Sequence, residues 1–116
     1  MAQTADVEED TIFDKIVRKE IPATIVYEDD LCMAFHDAFP CAPKHFLVIP
    51  KNRDGLTGIC KAEERHATLL GHLIVIAAKV AKDQGMNEQG YRIAINDGKF
   101  GCQSVYHLHI HIIGGK

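Results

Sequence analysis

Three histidines alternate with aliphatic residues near the C-terminal end of the chain. In the segment 105–113, a strand period of two puts His107, His109 and His111 on one face and Tyr106, Leu108, Ile110 and Ile112 on the other. Successive Cβ atoms on one face of a strand are about 6.5 to 7 Å apart, so the imidazoles could surround one substrate group. Because imidazole titrates near neutral pH, one ring can attack while another donates a proton. The spacing therefore predicts a catalytic face.

Two other interpretations of these histidines stay open. A solvated strand could carry them without any function. Histidines at positions i and i+2 of a strand can also hold zinc, which takes three or four N, S or O donors.

A tight turn of small residues, Gly101-Cys102-Gln103-Ser104, comes just before the histidines. Small residues allow a ligand to approach the backbone closely. We expect exposed N–H groups of this turn and the Ser104 hydroxyl to suit a phosphate. The alternative is a turn that merely links two strands.

The elements that must position these residues are visible as two kinds of periodicity. Strand patterns predict a hairpin and three further strands, over residues 24–27, 31–36, 45–49, 91–96 and 105–113. A helical period predicts one long helix over 62–84 and a short one from Thr11 that ends before Pro22. Because no run of β-α-β units occurs, we predict an α+β fold. It is a five-stranded antiparallel sheet with one long and one short helix to one side.

Length and composition fit one ordinary globular domain. The chain has 116 residues, of which 47% are hydrophobic and 25% charged. We expect a disordered acidic tail over residues 1–10 and a single domain over 11–116. The net charge of −3 gives no field that would gather a polyanion, so nucleic acid is not an expected partner.

The chain also lacks the usual signs of a membrane or secreted protein. Its longest apolar stretch, 69–78, is far short of the roughly 20 residues that a membrane span needs. The acidic N-terminus has no basic and apolar signal regions. Four scattered cysteines fit reduced thiols in a reducing compartment. We therefore expect no membrane partner and a cytoplasmic or nuclear location.

The motif His-x-His-x-His followed by two aliphatic residues resembles the histidine triad superfamily of nucleotide hydrolases and transferases. Segments 10–23, 34–51 and 101–115 look like one branch, the histidine triad nucleotide-binding proteins, also called protein kinase C interacting proteins. The match covers roughly residues 10–116. The resemblance implies the histidine triad fold and a homodimer whose two sheets join. It also implies hydrolysis of purine nucleoside 5′-phosphoramidates, with binding of purine nucleoside monophosphates and no cofactor or metal.

The resemblance assigns catalytic roles residue by residue. His109 matches the nucleophile that attacks the α-phosphorus and forms a nucleotidyl-imidazole intermediate, which water then cleaves. A neutral imidazole needs no deprotonation to attack, which agrees with that role. His111 matches the residue that touches the phosphate and protonates the leaving group. His107 and His45 match the pair that orients the nucleophile, whereas His36, His66 and His72 have no matched role and are taken as surface or helix residues.

The resemblance also implies a nucleotide-binding set. Ser104 and Asn96 match phosphate contacts, with the turn residues Gly101, Cys102 and Gln103 beside them, and Asp37 matches the carboxylate that accepts both ribose hydroxyls. The slot for the base corresponds to a group of apolar residues, Ile12, Phe13, Ile16, Phe35 and Leu47, with Ala38 next to it. Asp37 could instead cap a turn, and the apolar residues could be plain core.

Two positions depart from the family pattern. Cys102 stands where the family usually has a glycine, which predicts altered N–H geometry at the phosphate. Ala38 stands where a larger aliphatic residue often packs on the base, which predicts relaxed purine selectivity. Two functional alternatives accompany the phosphoramidase: a zinc-binding or protein-interaction module with vestigial activity, and a nucleotide sensor without catalysis.

Overall fold

Each predicted strand and helix has a counterpart in the computed structural model, which describes residues 10–115. The elements run α1 (Ile12–Val17), β1 (Ile25–Glu28), β2 (Cys32–His36), β3 (Lys44–Pro50), α2 (Ala67–Asp83), β4 (Tyr91–Ala94) and β5 (Ile110–Gly114). Two 3₁₀ helices, Ile59–Lys61 and Glu64–His66, precede α2. The predicted tail lies outside the described residues except for Asp10, which is exposed and pairs with Arg18.

The five strands form one antiparallel sheet in the order β1-β2-β3-β5-β4, which confirms the predicted sheet. The C-terminal strand β5 lies between β3 and β4 rather than at an edge. His111 is therefore opposite Leu47 on one side and Ala94 on the other. The register places a histidine in the interior of the sheet.

The helices cover opposite faces of the sheet, so the prediction that both lie to one side is wrong. Alternation along β2 and β3 divides their apolar residues into two clusters. One cluster packs against α2 and includes Ala34, Phe46, Val48, Ile110 and Ile112. The other packs against α1 and joins Phe13 and Ile16 to Met33, Phe35, Leu47 and Ile49. Because β2 and β3 are apolar on both faces, each face needs a cover.

Two predicted starts, those of the last strand and of the long helix, are too early by five residues each. The last strand, predicted over 105–113, begins only at Ile110. The N–H of Leu108 instead donates to the carbonyl of Leu56 in a loop, at 2.9 Å. The helix predicted over 62–84 is regular only over Ala67–Asp83. Within residues 10–115, no helix is both long and apolar enough to cross a bilayer.

His66 ends the second 3₁₀ helix and is not a surface residue, since only 1% of it is exposed. Its Nδ1 accepts the Glu63 backbone N–H at 3.0 Å. Its Nε2 lies 3.0 Å from the Asp54 carbonyl oxygen. His66 therefore holds the start of α2 to the preceding loop.

Candidate active site

The His109 ring is fixed in one orientation just before β5. Its Nδ1 lies 2.9 Å from the backbone carbonyl oxygen of His107. Because a carbonyl only accepts, Nδ1 carries the proton, and the neutral ring keeps a lone pair on Nε2. Only 3% of His109 is exposed. Burial lowers the pKa of His109 below its ordinary value, although the bond to the carbonyl opposes this, so the ring is neutral at neutral pH.

His111 has a defined tautomer because of its neighbour His45. The His45 Nδ1 accepts the Cys41 backbone N–H at 3.0 Å, so the neutral His45 ring carries its proton on Nε2. That Nε2 lies 2.9 Å from His111 Nδ1 and 3.2 Å from an Asp37 carboxylate oxygen. His111 therefore accepts at Nδ1 and carries its own proton on Nε2. Burial, followed by the proximity of His109 and His45, lowers the pKa of His111 to about 4.

The Nε2 of His111 is buried, and no residue that the structure describes offers it a hydrogen-bond partner. A buried donor without a partner costs free energy of about 1 to 3 kcal/mol. His111 also borders a cavity. An anionic ligand group in that cavity could accept this N–H and remove the cost.

The backbone carbonyl of His107 orients the His109 ring, and the His107 side chain anchors the segment that carries both residues. Its Nε2 donates to the Pro50 carbonyl at 2.7 Å, and its Nδ1 lies 3.5 Å from an Asp14 carboxylate oxygen. Burial lowers the pKa of the His107 ring. The ring is fully buried and does not border the cavity. The orientation of His109 comes from the His107 carbonyl, whereas His45 contacts His111.

A cavity of about 610 Å³ lies between α1 and the sheet, within the size range of small-molecule sites. It is bordered by His109, His111 and Ser104, and its walls are mostly apolar. The walls include the residues assigned to the base slot together with the ribose candidate, namely Ile12, Phe13, Ile16, Phe35, Leu47, Ala38 and Asp37. The fold therefore brings most of the predicted site to one place.

The start of α1 is fixed by a capping box. The Thr11 hydroxyl accepts the backbone N–H groups of Phe13 and Asp14, and the Asp14 carboxylate accepts the Thr11 N–H at 2.7 Å. This arrangement sets the register of the helix, which turns Phe13 toward the sheet. The Phe13 ring meets the edges of His107 and His109, with centroids 5.9 Å and 5.1 Å apart. Phe13 is thus both a cavity wall and a packing partner of the triad.

Asp37 has the turn-capping role that the sequence left open, together with a place in the cavity wall. One carboxylate oxygen accepts the Phe39 N–H at 2.9 Å. The other faces His45. A ribose contact by Asp37 would therefore share oxygens that already accept hydrogen bonds.

Four other predicted contacts do not border the cavity: Asn96, Gly101, Cys102 and Gln103. The N–H groups of Cys102 and Gln103 donate to the carbonyls of Lys99 and Gly98, so the expectation that they are exposed donors is wrong. The Gln103 side chain holds the loop by donating to the carbonyls of Thr57 and Val105. These residues shape the loop that presents Ser104.

Two positions of this loop, Gly101 and Cys102, have backbone environments that favour glycine. Cys102 has a φ of +63°, in the left-handed region that favours glycine. A Cβ on Gly101 would lie 2.2 Å from the Asp97 carbonyl oxygen, so only glycine fits there. The loop therefore keeps at Cys102 a backbone conformation that glycine adopts more readily.

Sequence reasoning missed a buried ion pair between α1 and the histidine segment. Arg53 is 8% exposed, its Nη2 lies 3.4 Å from Asp14 Oδ2, and its Nη1 donates to the Tyr106 carbonyl at 3.0 Å. In the sequence, Arg53 belongs to a polar run, 51–54, of the kind found in exposed loops. The capping-box spacing of Thr11 and Asp14 was the only local signal.

Known proteins resemble this chain over most of its length. Residues 18–116 match the family model described as HIT domain. A 14 kDa zinc-binding protein from Brassica juncea is 62% identical over 107 residues, which is 92% of this chain and 94% of the relative. The adenylylsulfatase HINT1 from Arabidopsis thaliana is 61% identical over 106 residues, 91% of this chain and 71% of the relative. The crystal structure of a HIT family hydrolase from Legionella pneumophila Philadelphia 1 superposes with a TM-score of 0.88 at 40% identity, covering 92% of this chain and 94% of the other.

Proposed function

This chain belongs to the HIT-domain family, in the branch of the histidine triad nucleotide-binding proteins, and we propose that it hydrolyses purine nucleoside 5′-phosphoramidates. One observation carries the proposal. The His109 ring is held by the His107 carbonyl as the neutral tautomer with its lone pair on Nε2, beside a cavity sized for a nucleotide. A neutral imidazole in that state is ready to attack phosphorus.

The reaction has two displacements at one phosphorus. When the anionic substrate binds, His111 takes up one proton from solvent. His109 Nε2 then attacks the α-phosphorus, the bond to the amine breaks, and the departing amine takes the Nε2 proton of the His111 imidazolium, which becomes neutral. Water then attacks the same phosphorus, breaks its bond to His109, and returns a proton to His111. An anionic phosphate beside His111 raises the pKa of that ring from its low value in the free protein, which suits it to donate.

The cavity walls support a nucleotide as the bound group. Apolar walls from α1 and from Phe35 and Leu47 suit a base. Ser104 lies at the same cavity as the triad and offers a hydroxyl to the phosphate. Asp37 offers carboxylate oxygens to the ribose. Ala38 has a small side chain and leaves room at its position in the cavity wall, which supports binding of both purines.

Adenylyl sulfate is a second candidate substrate, because one relative of 61% identity is named an adenylylsulfatase. The same attack by His109 would expel sulfate, which leaves without a proton. The two substrates should therefore respond differently to loss of the His111 N–H. We expect His111→Phe to slow phosphoramidate turnover much more than turnover of adenylyl sulfate.

The test of the proposed function is turnover of an adenosine 5′-phosphoramidate with a fluorogenic amine, in the presence of a chelator. We expect the wild type and Lys79→Gln, a control at an exposed position of α2, to turn over the compound. His109→Ala should lose turnover and keep nucleotide binding. Turnover by His109→Ala at near the wild-type rate would contradict the proposal.

A metal at the triad was the alternative interpretation, and the hydrogen bonds do not favour it. Asp37, His45 and His111 each offer one donor atom, all within 4.8 Å of one another. A histidine that binds a metal usually donates its other ring N–H to an acceptor. The other nitrogen of His45 instead accepts the Cys41 N–H, so binding through Nε2 would require a fully deprotonated ring. These residues fit proton transfer better than metal binding.

We also propose that two copies join through β4. Among the strands that the structure describes, β4 is at an edge of the sheet, and an edge strand can pair with another chain. Exposed apolar side chains lie on it and on α2, namely Ile93, Ile74 and Val75. Leu73 of α2, by contrast, is fully buried in the core and takes no part in this surface. In analytical ultracentrifugation we expect the wild type to sediment as a dimer and Val75→Glu to sediment as a monomer. A wild type that sediments as a monomer would contradict the proposed dimer.

A further inference from the structure

A second group of potential metal ligands lies on the face of the sheet that α2 covers. Asp29 follows β1, Cys32 begins β2, and His72 is on α2. One ligand atom from each lies within 4.8 Å of the other two. Three elements thus converge on one point, away from the cavity and the triad.

Asp29 is held in place by hydrogen bonds to both of its carboxylate oxygens. Oδ1 accepts the backbone N–H groups of Leu31 and Cys32, each at 2.8 Å. Oδ2 lies 2.7 Å from His72 Nε2 and accepts the Tyr27 hydroxyl at 2.9 Å. Although burial opposes ionisation, the bonds from His72 and the backbone hold the pKa of Asp29 well below its usual range. The cluster therefore contains a fixed, ionised carboxylate.

The ligand set of sulfur, nitrogen and oxygen is the one that zinc and similar borderline-soft cations prefer. Tetrahedral bonds of about 2.0 to 2.3 Å put neighbouring ligand atoms roughly 3.3 to 3.7 Å apart. The 2.7 Å separation of His72 Nε2 and Asp29 Oδ2 would open by less than about 1 Å. The His72 side chain is 30% exposed, so it has room to move by that amount.

The cation would have a path to the site and a place for each displaced proton. Asp29 and His72 are partly exposed and form the outer side, whereas Cys32 is fully buried and forms the inner side. On binding, the Cys32 thiol loses its proton to solvent and the His72 proton moves to Nδ1. Because burial raises the pKa of the Cys32 thiol to about 12, binding tightens as pH rises.

We propose that Asp29, Cys32 and His72 bind one borderline-soft divalent cation of the Zn²⁺ class, with the fourth position open to water. The bound cation joins α2 to the turn between β1 and β2, so it stabilises the fold without touching the cavity. The proposal is independent of the proposed hydrolysis.

The experiment titrates the metal-free full chain with Co²⁺, which gives a charge-transfer absorption when a thiolate binds it. We expect one equivalent of Co²⁺ to produce that absorption and Zn²⁺ to remove it by competition. Cys32→Ser should abolish the absorption, and His72→Gln should weaken Co²⁺ binding at least tenfold. Cys60→Ser is the matched control, because Cys60 is an exposed cysteine that also lies beside an aspartate, Asp97.

His72→Gln keeps the test decisive if loss of the buried thiol prevents Cys32→Ser from folding. Far-ultraviolet circular dichroism checks the fold of each variant. Zn²⁺ should raise the melting temperature of the wild type and of Cys60→Ser, and have little effect on His72→Gln. The absence of a thiolate absorption in the folded wild type, or an absorption that His72→Gln leaves unchanged, would overturn the proposal.

Discussion

Removal of the buried guanidinium of Arg53 should weaken the attachment of α1 to the segment that carries the triad. Arg53→Met leaves the Asp14 carboxylate without its cation and the Tyr106 carbonyl without a donor. Loss of one partner of a buried ion pair costs about 3 to 5 kcal/mol. Asp14 keeps its bonds from Thr11, and the pair is long at 3.4 Å. We therefore expect a loss of about 2 to 3 kcal/mol in the free energy of unfolding, or about 10 °C in melting temperature.

A double-mutant cycle in urea measures this coupling. Arg53→Met leaves the Asp14 carboxylate charged in a low-dielectric environment, and Asp14→Asn removes that charge. The loss in the free energy of unfolding of the double variant should therefore be smaller, by about 1 to 2 kcal/mol, than the sum of the losses of the two single variants. Because α1 carries a wall of the cavity, KM for the phosphoramidate should rise in Arg53→Met. Arg65→Met, in an exposed pair with Asp54, is the control and should cost under about 1 kcal/mol. Additive effects of Asp14 and Arg53 within about 0.5 kcal/mol would refute the coupling.

Four further predictions concern the pH profile of activity, the pH dependence of stability and the loop before the triad. Burial lowers the pKa of His109, so kcat/KM should fall at low pH with a midpoint below the ordinary histidine value of about pH 6.5; a midpoint above that would contradict the neutral nucleophile. Burial also takes the pKa of His111 to about 4, so between about pH 4 and 6.5 the unfolded chain binds more protons than the folded one. The free energy of unfolding, measured in urea, should therefore fall as pH drops across that range. Cys102→Gly relieves the left-handed conformation and should stabilise the fold by about 0.5 kcal/mol in the same assay, whereas a loss of that size would show that the loop needs a side chain. Ser104→Ala removes a hydroxyl for the charged phosphate and should lower kcat/KM by roughly tenfold or more, and an unchanged kcat/KM would remove Ser104 from the phosphate site.

Local periodicity was sufficient to predict the strands of the sheet and the core face of the histidine segment. Alternation in 105–113 correctly predicted that Leu108, Ile110 and Ile112 are core residues. The same alternation placed the start of the strand too early, because it requires only that successive side chains meet different environments. It does not specify a hydrogen-bonded neighbour, and Leu108 finds its partner in a loop.

The features that the sequence did not predict depend on contacts between distant residues. Arg53 and Tyr106 are 53 positions apart, and no local pattern relates them. The tautomer of His111 depends on His45 and on a backbone N–H of Cys41. Such hydrogen bonds arise only when β3 and β5 are adjacent in the sheet, so residue type and spacing could predict the participants but not their protonation.

Trapping of the covalent adduct tests most directly whether His109 Nε2 is the nucleophile. The full chain would be mixed with an adenosine 5′-phosphoramidate in the presence of a chelator, quenched within one turnover, and digested for mass spectrometry under conditions that preserve phosphorus–nitrogen bonds. We expect one adenylyl group on His109 in the wild type, an increased amount in His111→Phe if hydrolysis of the adduct slows more than its formation, and none in His109→Ala. Turnover without an adduct, or an adduct on another histidine, would contradict the account.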